Sequence, residues 1–425
     1  ALSPLDAEAH SNLGITLQEL GRLDEARASC TQAIALKPDY AEAYYNLANT
    51  LQELGRLEEA EASYTEAITL KPYLAEPYSN LGNTLKELGR LEEAEASYTQ
   101  AITVKPDYAE AHYNLGTTLQ ELGRLDEAEA SYIQAIAFKP DYALAYSNLG
   151  ALLQELGRLD EAEARLTQAI ALKPDFAEAY YNLGITLNVL GRIDQAEASY
   201  THAIALKPDY ALAYSNLGAL LQELGRLDEA EASFAQAIAL KPDFADAQNN
   251  LGNTLKDLGR LDEALASYNK AIESKIDISE AYSGKYLCLN YFPSGCPLSI
   301  FEQHLEFETQ FGGLQIEPIL NPRGNLRVEK RLRVGYVSGD FKKHSVAYFF
   351  EPLLQHHNAN VVETFCYYND FSIDEMTKSL MATSDHWRSI VGFNDSDVAN
   401  FIRNDKIDIL VDLSGHTSKN RLLVF

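Results

Sequence analysis

Apolar positions along residues 1–275 recur at the three-and-four spacing of a helix face, and the pattern restarts every 34 residues. In the copy that begins at Ala109, a wheel at about 100° per residue puts His112, Leu115, Gly116, Leu119 and Leu122 on one side. Glu110, Tyr113, Asn114, Thr117, Gln120 and Glu121 fall on the other. Gly123-Arg124 interrupts the helix, Ala128, Tyr132 and Ala135 line a second one, and Pro140 follows its end. The first side packs against the partner helix and the next copy. The second side forms one continuous surface along the stack, the inner one in superhelices of this kind.

That inner surface carries an asparagine in every copy: Asn12, Asn46, Asn80, Asn114, Asn148, Asn182, Asn216 and Asn250. Asparagine is a poor helix former. Its amide offers a donor and an acceptor together, which suits peptide backbone. The same residues could instead bond a neighbouring helix and fix the packing of the copies. The preceding residue alternates Ser11, Tyr45, Ser79, Tyr113, Ser147, Tyr181, Ser215 and then Asn249, so a two-copy block has been duplicated. Tyr45, Tyr113 and Tyr181 are expected to point into the groove on every second copy, as aromatic contacts or as shields over a neighbour's backbone. With its Leu-Gly, later Ala, aromatic and closing Pro, the 34-residue unit resembles the tetratricopeptide repeat. The rhythm ends after Pro242. The next ladder position is Gly284, and residues 279–291 read as a capping helix. A transition with a short helix near 299–311 follows.

From Arg331 the pattern changes to alternating strands and helices. Strands are predicted at Leu332–Val337, Val362–Tyr368, Trp387–Val391 and Ile407–Leu413, and helices at Ser345–His356, Ser372–Thr383 and Asp395–Asn404. Such alternation means a parallel, Rossmann-like sheet. The fold class is therefore mainly α: a repeat superhelix over 1–275, a capping and transition segment over 276–325, and a partial α/β lobe over 326–425. Neither a G-x-G-x-x-G nor a Walker A sequence is present, which speaks against a dinucleotide or a P-loop.

Charge narrows the partners. Of the net −27, residues 1–275 contribute −22, residues 276–322 contribute −5 and residues 323–425 contribute 0. An acidic array argues against nucleic acid and favours neutral or basic polypeptides. No apolar run reaches the roughly 18 residues that a membrane span needs. Cys30, Cys288, Cys296 and Cys366 are scattered, as expected in a reducing, cytoplasmic (or nucleocytoplasmic) setting rather than in a disulfide framework or zinc site. His356-His357 is not a convincing metal pair, because adjacent residues diverge on a helix. Ala1-Leu2-Ser3-Pro4 occupies the phase of Ala35-Leu36-Lys37-Pro38, so upstream repeats are expected.

Residues 331–341, RLRVGYVSGDF, with His344-Ser345 after them, resemble the start of the catalytic region of the O-linked N-acetylglucosamine transferase family. Residues 407–417, IDILVDLSGHT, resemble a later motif of the same lobe, and the His-Ser and Gly-His-Thr forms are nearer the SPINDLY branch, the protein O-fucosyltransferases. The resemblance implies a protein O-glycosyltransferase acting on Ser/Thr-containing proteins or peptides, with a nucleotide sugar donor (UDP-GlcNAc or GDP-fucose). It makes His344 a candidate catalytic base or organiser of the donor phosphate, with His416 a weaker candidate. Independently, His344 follows a strand end and precedes a helix, where open α/β sheets bind ligands and helix N-termini favour phosphate; a loop histidine that caps or packs is the other reading. The resemblance also makes the eight asparagines holders of acceptor backbone. The second lobe, which in the family supplies most donor contacts, is not within these residues, so the fragment is expected to bind no cofactor and to be inactive alone. A non-enzymatic tetratricopeptide scaffold is the alternative.

Overall fold

The computed structural model describes residues 6–274, 279–292, 302, 305, 331–415, 417 and 420–424. They fall into two compact units, Ala1–Leu220 and Leu221–Phe425. The first unit is a run of helix pairs, from Ala7–Glu19 with Leu23–Leu36 to Ala177–Val189 with Ile193–Leu206. A thirteen-residue helix A and a fourteen-residue helix B alternate throughout. Each pair turns at a glycine with φ between 70° and 75°, Gly21 through Gly191, a conformation that L side chains rarely adopt.

Helix A approaches helix B closely at a second glycine. A Cβ on Gly116 would lie 2.8 Å from the ring of Tyr132, and one on Gly82 2.6 Å from Tyr98. The residue opposite is buried in these repeats, as Cys30, Tyr98, Tyr132, Leu166 or Tyr200, and in the second repeat Ala48 stands in for the glycine against the buried Tyr64. Arginine then ties one repeat to the last. Arg90 chelates Glu93 in its own helix B and reaches back to Glu61, and Arg124 does the same with Glu127 and Glu95.

The second unit continues with helices Leu227–Leu240, Ala245–Asp257, Leu261–Ser274 and Ser279–Leu289. It then holds a four-stranded sheet of β1 (Leu332–Ser338), β2 (Val362–Tyr368), β3 (His386–Ser389) and β4 (Ile409–Asp412). All pairings are parallel and the order is β3-β2-β1-β4. Side chains alternate across it. Val334, Tyr336, Cys366 and Tyr368 pack on the helices Ser345–Gln355 and Glu375–Thr383, while Val337, Phe365 and Tyr367 pack on the helix Asp395–Asn404. The fold class is thus a mainly α tetratricopeptide array followed by a small parallel sheet.

Several element edges differ from expectation, and in three elements a local reason is visible. The second lobe helix starts at Glu375 instead of Ser372, because Asp374 forms a capping box with Thr377 while Ser372 N–H is taken by Asp370. β4 starts at Ile409 because Lys406 adopts φ 53° just before it. β3 runs one residue earlier and ends at Ser389, ahead of Gly392 at φ 83°. The helix expected near 299–311 lies outside the described residues apart from Glu302 and Leu305, both helical. Cys30, Cys288 and Cys366 are free and buried, and burial pushes the Cys30 thiol up to about 11 and Cys366 to about 12. Cys296 lies outside the described residues.

Candidate functional site: the asparagine ladder and the carboxyl edge of the sheet

In the first unit five of the seven ladder asparagines are already engaged with their neighbours. Asn46 Nδ2 donates to Ser11 Oγ at 3.0 Å. Asn80, Asn148 and Asn216 donate to the hydroxyls of Tyr45, Tyr113 and Tyr181 at 3.0, 3.0 and 3.2 Å. Asn80 also donates to Asn49 Oδ1, and Asn114 to Asn83 Oδ1. The tyrosines expected as groove contacts are therefore struts between repeats. Their rings pack on Tyr64, on Tyr132 and Tyr142, and on Tyr200 and Tyr210. Asn12, Asn182 and Asn250 make no such side-chain bond among the described residues. From Asn80 to Asn250 the ladder residues are half-buried; Asn46 is buried and Asn12 exposed. Beside the ladder, Gln18, Asn49, Gln52, Glu53, Asn80 and Glu87 line a shallow depression of about 430 Å³.

The lobe's chain direction reverses between β1 and β4, since β1 leads to β2 on one side while β4 lies on the other. That is the switch point at which open α/β sheets bind ligands beyond their carboxyl ends. Ser338 Oγ and Ser414 Oγ meet across it at 3.3 Å, both buried. Asp412 accepts from the N–H groups of Ser414 and Gly415 at 3.1 and 2.6 Å, yet its burial outweighs them and holds its carboxyl above the usual aspartate value.

His344 is the N-cap of the helix Ser345–Gln355, and its Nδ1 accepts from Val346 N–H at 3.3 Å. Asp340 Oδ2 lies 3.8 Å from the same nitrogen. The loop that carries His344 is pinned from β2's far end, by Lys342 to Asp370 at 2.6 Å and by Lys343 N–H to Asp374 at 2.6 Å. His416 lies outside the described residues. His357 bonds Tyr336 Oη and His356 bonds Pro352 O, so the pair serves two separate contacts. Among the described residues no cluster could hold a metal ion and no helix is long and apolar enough to cross a membrane.

A cleft of about 560 Å³ opens in the second unit. Asn249, Asn253 and Ser283 line it from the repeat helices, and Asn369, Thr417 and Arg421 from the loops beyond the strands. Neither Asn250 nor His344 is in its wall. Sequence reasoning did not single out Asp412, Asn249 or Arg421. The one signal for Asn249 was its break with the Ser/Tyr alternation.

Residues 313–425 match the model of glycosyl transferase family 41, and residues 5–72 that of the tetratricopeptide repeat. The chain thus joins tetratricopeptide repeats to a segment of glycosyl transferase family 41 sequence. The repeats also match, over residues 72–285, the model of the Cilia and flagella-associated protein 70 C-terminal domain. The chain is 34% identical over 148 residues to the probable UDP-N-acetylglucosamine--peptide N-acetylglucosaminyltransferase SPINDLY of Oryza sativa subsp. japonica, covering 34% of this chain and 16% of that one. The similarly described SEC of Arabidopsis thaliana is 34% identical over 99 residues, 23% of this chain and 10% of the relative. A mutant of Thermobaculum terrenum O-GlcNAc transferase aligns with a TM-score of 0.52 at 31% identity, over 58% of this chain and 48% of that one. The chain therefore spans about a sixth of the plant SPINDLY relative and about half of the bacterial structure.

Proposed function

We propose that this chain is part of a protein O-glycosyltransferase that moves a sugar from a nucleotide sugar to a Ser or Thr hydroxyl, with its repeats holding the polypeptide acceptor. The observation that carries the reading is a sheet of family 41 sequence whose switch point gathers serine hydroxyls, backbone N–H groups and a histidine-capped helix N-terminus. In such a transfer the acceptor oxygen bonds the anomeric carbon as the bond from that carbon to the diphosphate breaks. The nucleoside diphosphate leaves with the electron pair, and the hydroxyl proton passes to a base, with inversion. Because His344 Nδ1 accepts from Val346 N–H, the neutral ring carries its proton on Nε2. That tautomer is a donor, which favours holding an anionic phosphate oxygen over removing the acceptor proton from Nδ1.

A scaffold without chemistry is the second reading, favoured by the five ladder amides already bonded to neighbouring repeats. Profiling uridine- and guanosine-diphosphate sugars with Ser/Thr peptides, on the protein as its gene encodes it, decides between them. Transfer from one donor class is the expected result. Peptide binding with no transfer from either class leaves the scaffold.

A further inference from the structure

We infer that the cleft of the second unit grips one peptide unit of its ligand through a main-chain clamp made by Asn249 and Arg421. The inference rests on the acceptor-holding reading above and names the groups that do the holding. Two buried side-chain atoms lack a hydrogen-bond partner among the described residues, Asn249 Oδ1 and Arg421 Nε, and both residues line this cleft. One is an acceptor and the other a donor, and a buried polar atom left unpaired is costly.

The ladder explains the first orphan. The residue before a ladder asparagine accepts from the asparagine of the next repeat, as Ser11 does from Asn46 and Tyr45 from Asn80. For Asn249 that next position is Gly284, which has no side chain to donate. The end of the ladder thus leaves an amide oxygen without its usual donor at the cleft.

The second orphan belongs to a fixed guanidinium. Arg421 Nη1 bonds Asp395 at 2.8 Å, and Nη2 bonds Asn369 Oδ1 and Ile390 O at 3.0 and 3.1 Å. These contacts hold the plane rigid and offset its charge with Asp395, so the Nε–H suits a neutral carbonyl better than a second carboxylate. A peptide unit supplies both complements, its N–H to Asn249 and its C=O to Arg421. The neutral carboxamides of Asn253, Asn369 and Asn420 around them fit the same ligand class. Since neither atom is open to water, the strand must press into the wall and displace side chains to reach them.

The test is fluorescence anisotropy with a labelled uncharged twelve-residue Ser/Thr/Ala peptide and its analogues N-methylated one bond at a time, on the full chain, with helicity checked by circular dichroism. At one bond, methylation should weaken binding to the wild type about tenfold. Asn249→Ala should weaken the parent peptide by a similar factor and abolish the sensitivity to methylation at that bond, with its melting temperature unchanged. Arg421→Lys should weaken the parent alike; if it does not fold, the Asn249→Ala arm decides alone. Binding that tolerates methylation at every bond, or that stays equally sensitive in Asn249→Ala, overturns the clamp and leaves the acceptor-holding reading standing. If the parent peptide does not bind the chain at all, both fall.

Discussion

His344 Nδ1 can accept from Val346 N–H, or, once protonated, face Asp340 Oδ2 at 3.8 Å, but it cannot do both. The neutral, helix-capping form leaves Nε2–H as the outward donor, and a substitution can separate capping from donation. Asparagine is a good N-cap, whereas alanine removes the cap at a cost of about 1 kcal/mol. We expect His344→Asn to keep the melting temperature of the lobe while lowering transfer about a hundredfold. His344→Ala should lose both. If His344→Asn turns over like the wild type, the histidine is a cap and nothing more; steady-state rates on both variants, beside their melting curves, read this out. Asp412 shows the opposite balance at the same edge: two N–H donors favour its charge, and burial still wins.

Between elements, the sheet is fastened at its amino end by a charged cluster remote from the switch point. Glu363 on β2 accepts from His386 on β3 at 2.8 Å and from Arg333 on β1 at 3.1 Å, and Arg331 stands 3.8 Å away. The His386 hydrogen bond first, and that from Arg333 after it, hold the Glu363 carboxyl below its usual value. A depressed carboxylate contributes stability above its unfolded pKa and loses it as the pH falls through the folded one. Glu363→Gln should therefore destabilise the lobe at pH 7, and its gap from wild type should close as the pH drops below about 4.3. Urea titrations followed by the fluorescence of Trp387, the one tryptophan of the chain, measure this directly. A gap that does not change with pH would remove the charge from the explanation. The elements themselves were readable because their signals are local: a turn that needs φ near 70° needs Gly21 and its copies, and a strand of alternating faces needs Val334, Tyr336 and Val337 as they stand. Asp374 displaced a predicted helix start by three residues because capping chemistry overrode hydrophobic periodicity. The site was less readable. Arg421 matters through Asn369, Ile390 and Asp395, contacts of up to 52 residues' separation that no periodicity encodes.

Across the whole molecule, the ladder must be judged as an array, because stacked repeats share stability between neighbours and a ligand laid along them draws on several at once. The two roles open to it make different demands on single positions. If asparagine serves packing, Asn80→Ala removes bonds to Tyr45 and Asn49 and should cost about 1–2 kcal/mol, whereas Asn182→Ala, with no such bond, should be close to neutral. If asparagine also holds polypeptide, the effect on binding does not follow that ranking. Each engaged amide donates through Nδ2 and leaves Oδ1 for a peptide N–H, so Asn182 contributes as much as its neighbours. Replacing Asn148, Asn182 and Asn216 together by alanine should then weaken an uncharged Ser/Thr peptide by about tenfold or more at retained helicity, and restoring Asn182 alone should recover part of it. Equal affinity in the triple variant would confine the ladder to packing. The strongly negative repeats add a second readout: backbone pairing with an uncharged peptide should be nearly indifferent to salt, while a peptide drawn in by the net −22 of residues 1–275 should bind less tightly as ionic strength rises.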